Sequence, residues 1–180
     1  LDKCETSTTL PKWVEDGLPL LFALHYTNEE IKVYNPSLSG YIPLLWNRAN
    51  SSDGPIAESI SLEEMEVSGN YPSNSWTGRY YAALAVEYMV YRSSAQKVYV
   101  DFVKDIYLKG WKQSFQDNIG LSVDQFYSDF QSYVIDSAAA NIVNSNWKLD
   151  DIDITAVSSG GSSSNTAPTI NGLPNSISVA

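Results

Sequence analysis

The chain has 180 residues, 43% of them hydrophobic and 12% aromatic, which is enough for one domain with a core that needs no disulfide or metal to hold it. Its 21 acidic against 11 basic residues give a net charge of -10, which repels phosphate backbones and anionic lipid alike and excludes nucleic acid as an expected partner. No apolar run approaches the roughly 20 residues of a membrane-crossing helix, so no membrane insertion is expected.

The acid excess by itself signals solubility rather than cation binding. The single cysteine, Cys4, lies in a polar opening segment and cannot form an internal disulfide. The first residue is Leu1, with no basic and apolar leader behind it. Either a leader has been removed or the chain is a piece of a longer one, and both ends of the sequence favour the second reading.

Residues 9–26 carry a helix-start pattern: a Thr ahead of Pro11 in the first turn, then Glu15 and Asp16 early in the helix. Pro19 lacks the N–H and crowds the preceding turn, so it is expected to kink this helix or to begin a new one. From 27 to 71 the punctuation Asn35-Pro36, Ser39-Gly40, Asp53-Gly54-Pro55 and Ser68-Gly69 predicts connecting structure with two short helices. One of them starts at Ser61, where Ser-Leu-Glu-Glu has the reciprocal capping form.

The stretch 73–92 is apolar on nearly every face, which predicts a central helix buried on several sides. The next helix opens at Ser93 with Ser-x-x-Gln and is amphipathic, Val98, Phe102 and Ile106 inside and Lys97, Asp101, Lys104 and Asp105 outside, ending near Gly110. A short helix, WKQSFQDN, stops at Ile119-Gly120. Ser122-x-x-Gln125 then starts a last helix to about Asn144, with Phe126, Phe130, Tyr133 and Val134 on one face.

The segment 150–166 turns acidic and then Ser/Gly-rich and reads as a linker. The remaining residues, 167–180, resemble the opening strand of the immunoglobulin-like or cadherin-like repeats found in tandem in bacterial surface proteins. That likeness implies a helical domain over 1–149, the linker, and the truncated start of a repeat.

LPKWVEDG near the front, YYAALAVEYMVYR in the centre and IGLSVDQFYSDFQSYV behind together resemble the C-terminal half of the gluzincin, or peptidase MA-like, zinc peptidases over residues 10–134. The resemblance implies a mainly α fold, a multi-helix orthogonal bundle forming the rear lobe of a catalytic domain. In that family a Pro-x-Trp-x-x-Glu-Gly-x-Ala pattern supplies the third zinc ligand, which maps onto Asp16, with Glu15 as the alternative if the alignment slips by one. A tyrosine of the central helix that faces the cleft and stabilises an oxyanion maps onto Tyr80; core packing is the alternative for so aromatic a helix.

The sequence departs from the pattern in three ways. Asp16 is one methylene shorter than Glu, and Pro19 stands where the family has a small residue. The His-Glu-x-x-His helix, which gives zinc two imidazoles and the water-activating Glu, is absent; His25 is the only histidine and is expected at a partly exposed helix end. No cofactor is therefore expected in this chain, and zinc only if an upstream segment carries that motif. Asp150, Asp151 and Asp153 lack the spacing of a calcium loop and read as solvated.

Two functions follow. The chain is either part of a secreted or cell-surface zinc peptidase acting on peptides or proteins, or a non-catalytic recognition or adhesion module of a surface protein. If the resemblance holds, Asp16 or Glu15 and Tyr80 or Tyr81 should share a concave surface within roughly 10 Å. The exposed surface beside it would pack against a front lobe or, as a homodimer, against a second copy. The low apolar content of 158–180 predicts that brief proteolysis removes this tail and leaves a stable core ending near Trp147.

Overall fold

The computed structural model describes residues 9–34, 41–50, 60–67, 70, 75–136 and 147–155. Cys4, the Ser/Gly part of the linker, the repeat-like segment and the expected extension of the last helix to Asn144 lie outside the described residues. The fold is mainly α, a bundle of packed helices, and no strand occurs among the described residues. No helix among them is long and apolar enough to cross a membrane.

Helix α1 spans Lys12–Tyr34. It runs on through Pro19, where a break was expected, because Pro19 lies on the exposed side of the helix. Glu15, whose carbonyl would have accepted from position 19, is exposed as well, and on a solvent-facing side the missing bond costs less. The helix also passes the expected end at Tyr26. Thr27 contributes by turning its hydroxyl back onto the carbonyl of Ala23 at 2.9 Å, so it does not interrupt the ladder.

Helix α2 (Tyr41–Ala49) follows, and then the turn at Ser61. The capping box forms as its sequence implies, Ser61 N–H donating to Glu64 Oε2 at 2.8 Å and Glu64 N–H to Ser61 Oγ at 3.2 Å. These bonds hold the Glu64 carboxyl below the usual range. They cap only a 3₁₀ turn, Glu64–Glu66, before the backbone becomes extended at Val67.

Helix α3 (Ser75–Arg92) is the central element, and residues 81–90 are buried without interruption, as an all-round apolar sequence requires. α1 and α2 pack along it. The next helix, α4, is capped by Ser94 rather than Ser93: Ser94 Oγ accepts from the Lys97 N–H, while Ser93 bonds back to the Met89 carbonyl. α4 opens with a wide π-type turn over Lys97–Phe102 and continues as an α-helix over Val103–Lys109. The wide turn buries Val100 in addition to Val98, Phe102 and Ile106. Ser114, fully buried on the following helix, donates to the Phe102 carbonyl at 2.7 Å where that turn ends.

Gly110 and Gly120 take positive φ, 79° and 81°, and punctuate helix α5 (Trp111–Ile119) on both sides. Helix α6 (Val123–Asp136) starts on Ser122, whose hydroxyl accepts from the Gln125 N–H. Its inward face carries Phe126 and Phe130. They stack on each other at 6.1 Å and meet Phe115 of α5, Trp13 of α1, and Tyr81 and Tyr88 of α3.

Packing continues past the last helix. Trp147 is 4% exposed, its ring stacked on His25 at 3.8 Å and its indole N–H donating to the buried Glu87 carboxylate at 3.2 Å. Ile152 also packs on the core, and the Gln96 side chain takes the Asp153 N–H at 2.6 Å. The first residues of the segment expected as linker thus belong to the packed body. His25 is mid-helix and 8% exposed, not a partly exposed end, because α1 extends to Tyr34 and Trp147 covers its ring.

α1 and α3 approach each other closely at Gly17. A Cβ on Gly17 would lie 2.6 Å from the Ala82 carbonyl oxygen and 2.9 Å from Val86 Cγ2. Gly17→Ala is expected to destabilise the fold by about 1–3 kcal/mol despite the better helix propensity of alanine. Thermal denaturation checks this, at roughly 2–4 °C per kcal/mol; an unchanged midpoint would mean that the two helices separate freely.

Candidate functional site

The site is built on the first turns of α1, where Pro11, Trp13, Asp16 and Gly17 keep the order of the peptidase-like pattern. Residues four apart lie one above the other on a helix, so Trp13 and Gly17 share the inward face. Trp13 is fully buried, and its indole N–H donates to the Tyr127 hydroxyl at 3.0 Å. Tyr127 in turn donates to Glu66 Oε1 at 2.8 Å, which ties α1, α6 and the capped turn together. Gly17 sets α1 against the α3 backbone. Asp16, one step round the helix from Gly17, then comes out at the edge of the α1–α3 seam.

A cleft of about 360 Å³ lies there, lined by Asp16, Pro19, Leu20, Trp76 and Arg79. The Asp16 side chain is 14% exposed and accepts from Lys12 Nζ at 2.9 Å through Oδ1, while Arg79 Nε stands 3.7 Å from Oδ2. The Lys12 amine is raised above its ordinary value, chiefly by its hydrogen bond to Asp16. Arg79 also lies over the Trp76 ring at 5.2 Å, a cation–π arrangement on an indole that is 58% exposed.

The sequence-predicted residues separate here. Asp16 is in the cleft; Glu15 points outward, exposed, with Lys12 at 3.4 Å. The helix carrying Asp16 does lie beside the central helix. The central-helix side chain that meets Asp16 is Arg79, one residue before Tyr80 and about 100° round the helix from it. Tyr80 is half-buried against the core and is not among the lining residues. Tyr81 is directed at α6, its ring against Phe130 at 5.3 Å and its hydroxyl donating to Gln131 at 3.2 Å.

Sequence reasoning passed over Trp76 and Arg79. The signal was present: Arg79 and Glu87 are the only charges between Ser75 and Tyr91, in a helix otherwise built for burial. Charges in such a helix need partners, and each has one, Asp16 for Arg79 and Trp147 for Glu87. A second cleft, of about 300 Å³, is lined by His25, Lys148, Leu149 and Asp150.

Whether these residues suit the zinc that the resemblance implies is decided by the donor set. Among the described residues no three His, Cys, Asp or Glu side chains converge. Asp16 already faces two cations, and the His25 ring is stacked on Trp147. The described residues do not by themselves fit a zinc ion. Compared with protein-family models, with curated proteins and with solved structures, the chain matches none.

Tyr81 and Tyr127, which brace the helices around the cleft, are both held well above the ordinary tyrosine value of 10.0, chiefly by burial. For Tyr127 the bond to Glu66 adds to the rise. In the unfolded chain both phenols ionise near pH 10, whereas in the folded chain they keep their protons. Stability is therefore fully present below pH 10 and falls as pH rises above it, by about 1.4 kcal/mol per pH unit for each tyrosine. Urea denaturation at pH 9 and 11 should differ by about 1.4 kcal/mol for each of the two tyrosines, most of it lost above pH 10, and the difference should fall by about half in either Tyr81→Phe or Tyr127→Phe; an unchanged difference in both variants would refute it.

Proposed function

We propose that the chain is the rear part of a secreted or cell-surface peptidase of the gluzincin kind, acting on peptide or protein substrates. The observation that carries the proposal is the division of labour in Pro11-x-Trp13-x-x-Asp16-Gly17. Trp13 anchors the helix in the core, Gly17 lets it touch the central helix, and Asp16 is left at the mouth of a cleft. A ligand-bearing helix needs this arrangement, because a metal-directed carboxylate is useful only if its backbone is rigidly held.

Zinc enters the proposal only through a His-Glu-x-x-His segment N-terminal to Leu1, and it would supply an activated water for peptide hydrolysis. In that setting the chain's own residues hold Asp16 toward the cleft and supply its walls. Tyr80 is kept as the oxyanion residue only on condition that its half-buried ring turns toward the seam. The second reading, a recognition module without catalysis, is favoured by one specific observation: Asp16 is already paired with Lys12 and Arg79.

The two readings separate on measurement. The 180-residue chain should carry no stoichiometric zinc by metal analysis and should not cleave casein; one chelator-resistant zinc per chain would overturn the ligand assignment. The coding sequence upstream of Leu1 should contain His-Glu-x-x-His. A protein extended to include it should lose most of its zinc on Asp16→Ala, and an upstream sequence without the motif leaves the recognition module alone.

A further inference from the structure

The cleft beside Asp16 has a chemistry that the peptidase reading does not use. Arg79 turns its Nε toward Asp16, at 3.7 Å, too far for a hydrogen bond. Among the described residues Asp16 is its only polar partner, so the two terminal nitrogens of the guanidinium fork have their N–H groups unspent. The side chain is 42% exposed at the cleft. Its Cζ lies 5.2 Å from the centroid of the Trp76 ring, a cation–π contact that places the fork beside an apolar surface. The rest of the lining is apolar, Pro19, Leu20 and the exposed ring of Trp76, and about 360 Å³ accommodates one or two residues of a peptide.

We infer that this cleft is a recognition pocket for a carboxylate carried on an apolar peptide segment, the carboxylate taken in two parallel bonds by Arg79 and the neighbouring side chain laid on Trp76. A planar fork whose terminal edge is free selects carboxylate geometry over a point anion. The apolar walls are required as well as the fork, because a chain of net charge -10 repels anions at a distance and has to recover that cost on contact. A polyanion is excluded for the same reason. The carboxylate comes either from the C-terminus of a peptide or from an acidic side chain next to an apolar one. The inference needs no metal and no catalysis, so its failure leaves the upstream-motif test of the peptidase reading untouched.

The test uses three acetylated tetrapeptides: Ala-Ala-Ala-Leu with a free C-terminus, the same peptide amidated, and amidated Ala-Asp-Ala-Leu. Binding is read from the indole N–H resonance of Trp76 in a ¹⁵N-labelled full chain, identified by its loss in Trp76→Phe. The free acid should shift this resonance saturably, and amidation should weaken binding about tenfold or more, the value of a charge-assisted pair. If the Asp-containing amide restores binding, the pocket reads acidic side chains; if it behaves as the plain amide, the pocket reads chain ends. Arg79→Lys keeps the charge but not the fork and should lose at least about fivefold, with Arg79→Met losing as much as amidation does. Thermal midpoints of both variants should stay near that of the parent, because the side chain is exposed. No shift with any peptide, equal binding of acid and plain amide, or full affinity in Arg79→Lys would overturn the inference.

Discussion

The bundle depends on a single backbone contact, the crossing of α1 on α3 at Gly17 and Ala82. Two helices with ordinary side chains between them stand about 8–10 Å apart; a glycine against a carbonyl brings them closer. That proximity has consequences along the whole seam. It places Trp13, one turn before Gly17, deep enough to stack on Phe126 and reach the Tyr127 hydroxyl. One turn after Gly17 it buries Leu21, and next it sets His25 where Trp147 can cover it. A larger residue at 17 would separate not one pair of side chains but the three layers that the aromatic rings bridge.

The second constraint is polar. Glu87 is almost fully buried in α3, and a buried carboxylate without partners is costly. The indole N–H of Trp147 is one of those partners. The segment that follows the last helix is thereby drawn back across α1 and α3, His25 and Tyr99 supplying the flat surfaces against the Trp147 ring. The Gln96 amide then holds the Asp153 backbone in the manner of a strand pairing, donating to its carbonyl and accepting from its N–H. The packing of Trp147 is thus linked to a polar group in the centre of the domain, sixty positions earlier in the chain.

What the sequence made legible follows from whether the signal was local. The capped start at Ser61, the glycine stops at 110 and 120 and the inward rows Val98–Phe102–Ile106 and Phe126–Phe130–Val134 each depend on residues within a few positions, and the structure contains them. Three features were misread because tertiary context decides them. Pro19 does not end α1, since its face is solvent. The cap of α4 moves from Ser93 to Ser94, since Gln96 is engaged with Asp153 rather than with its own helix start. Ile152, in the segment expected as linker, packs on the core although the composition around it is polar. At the cleft, the place of Asp16 early in its helix was legible, whereas Arg79 was passed over although it is one of only two charges in an otherwise apolar helix, because its carboxylate partner lies more than sixty positions away in the chain.

The pairing of Asp16 with Arg79 bears on both functional readings through one argument about charge. A metal-directed carboxylate and an ion-paired carboxylate make opposite demands on their surroundings. The first needs other anionic or neutral donors converging on a common point; the second needs cations. The Asp16 side chain is only 14% exposed, so its charge is incompletely screened, and what it meets in the described residues is Lys12 and Arg79. For a metal to replace them, the incoming donors would have to displace Arg79 from the seam while Lys12 swung to Glu15, which it already touches at 3.4 Å. Both cations are on long, partly exposed side chains with room to move, so the cost is that of a surface rearrangement rather than of unfolding. The same side chain can therefore close a recognition pocket in one setting and be recruited as a ligand in another, and the occupant of the cleft decides which charge Arg79 serves.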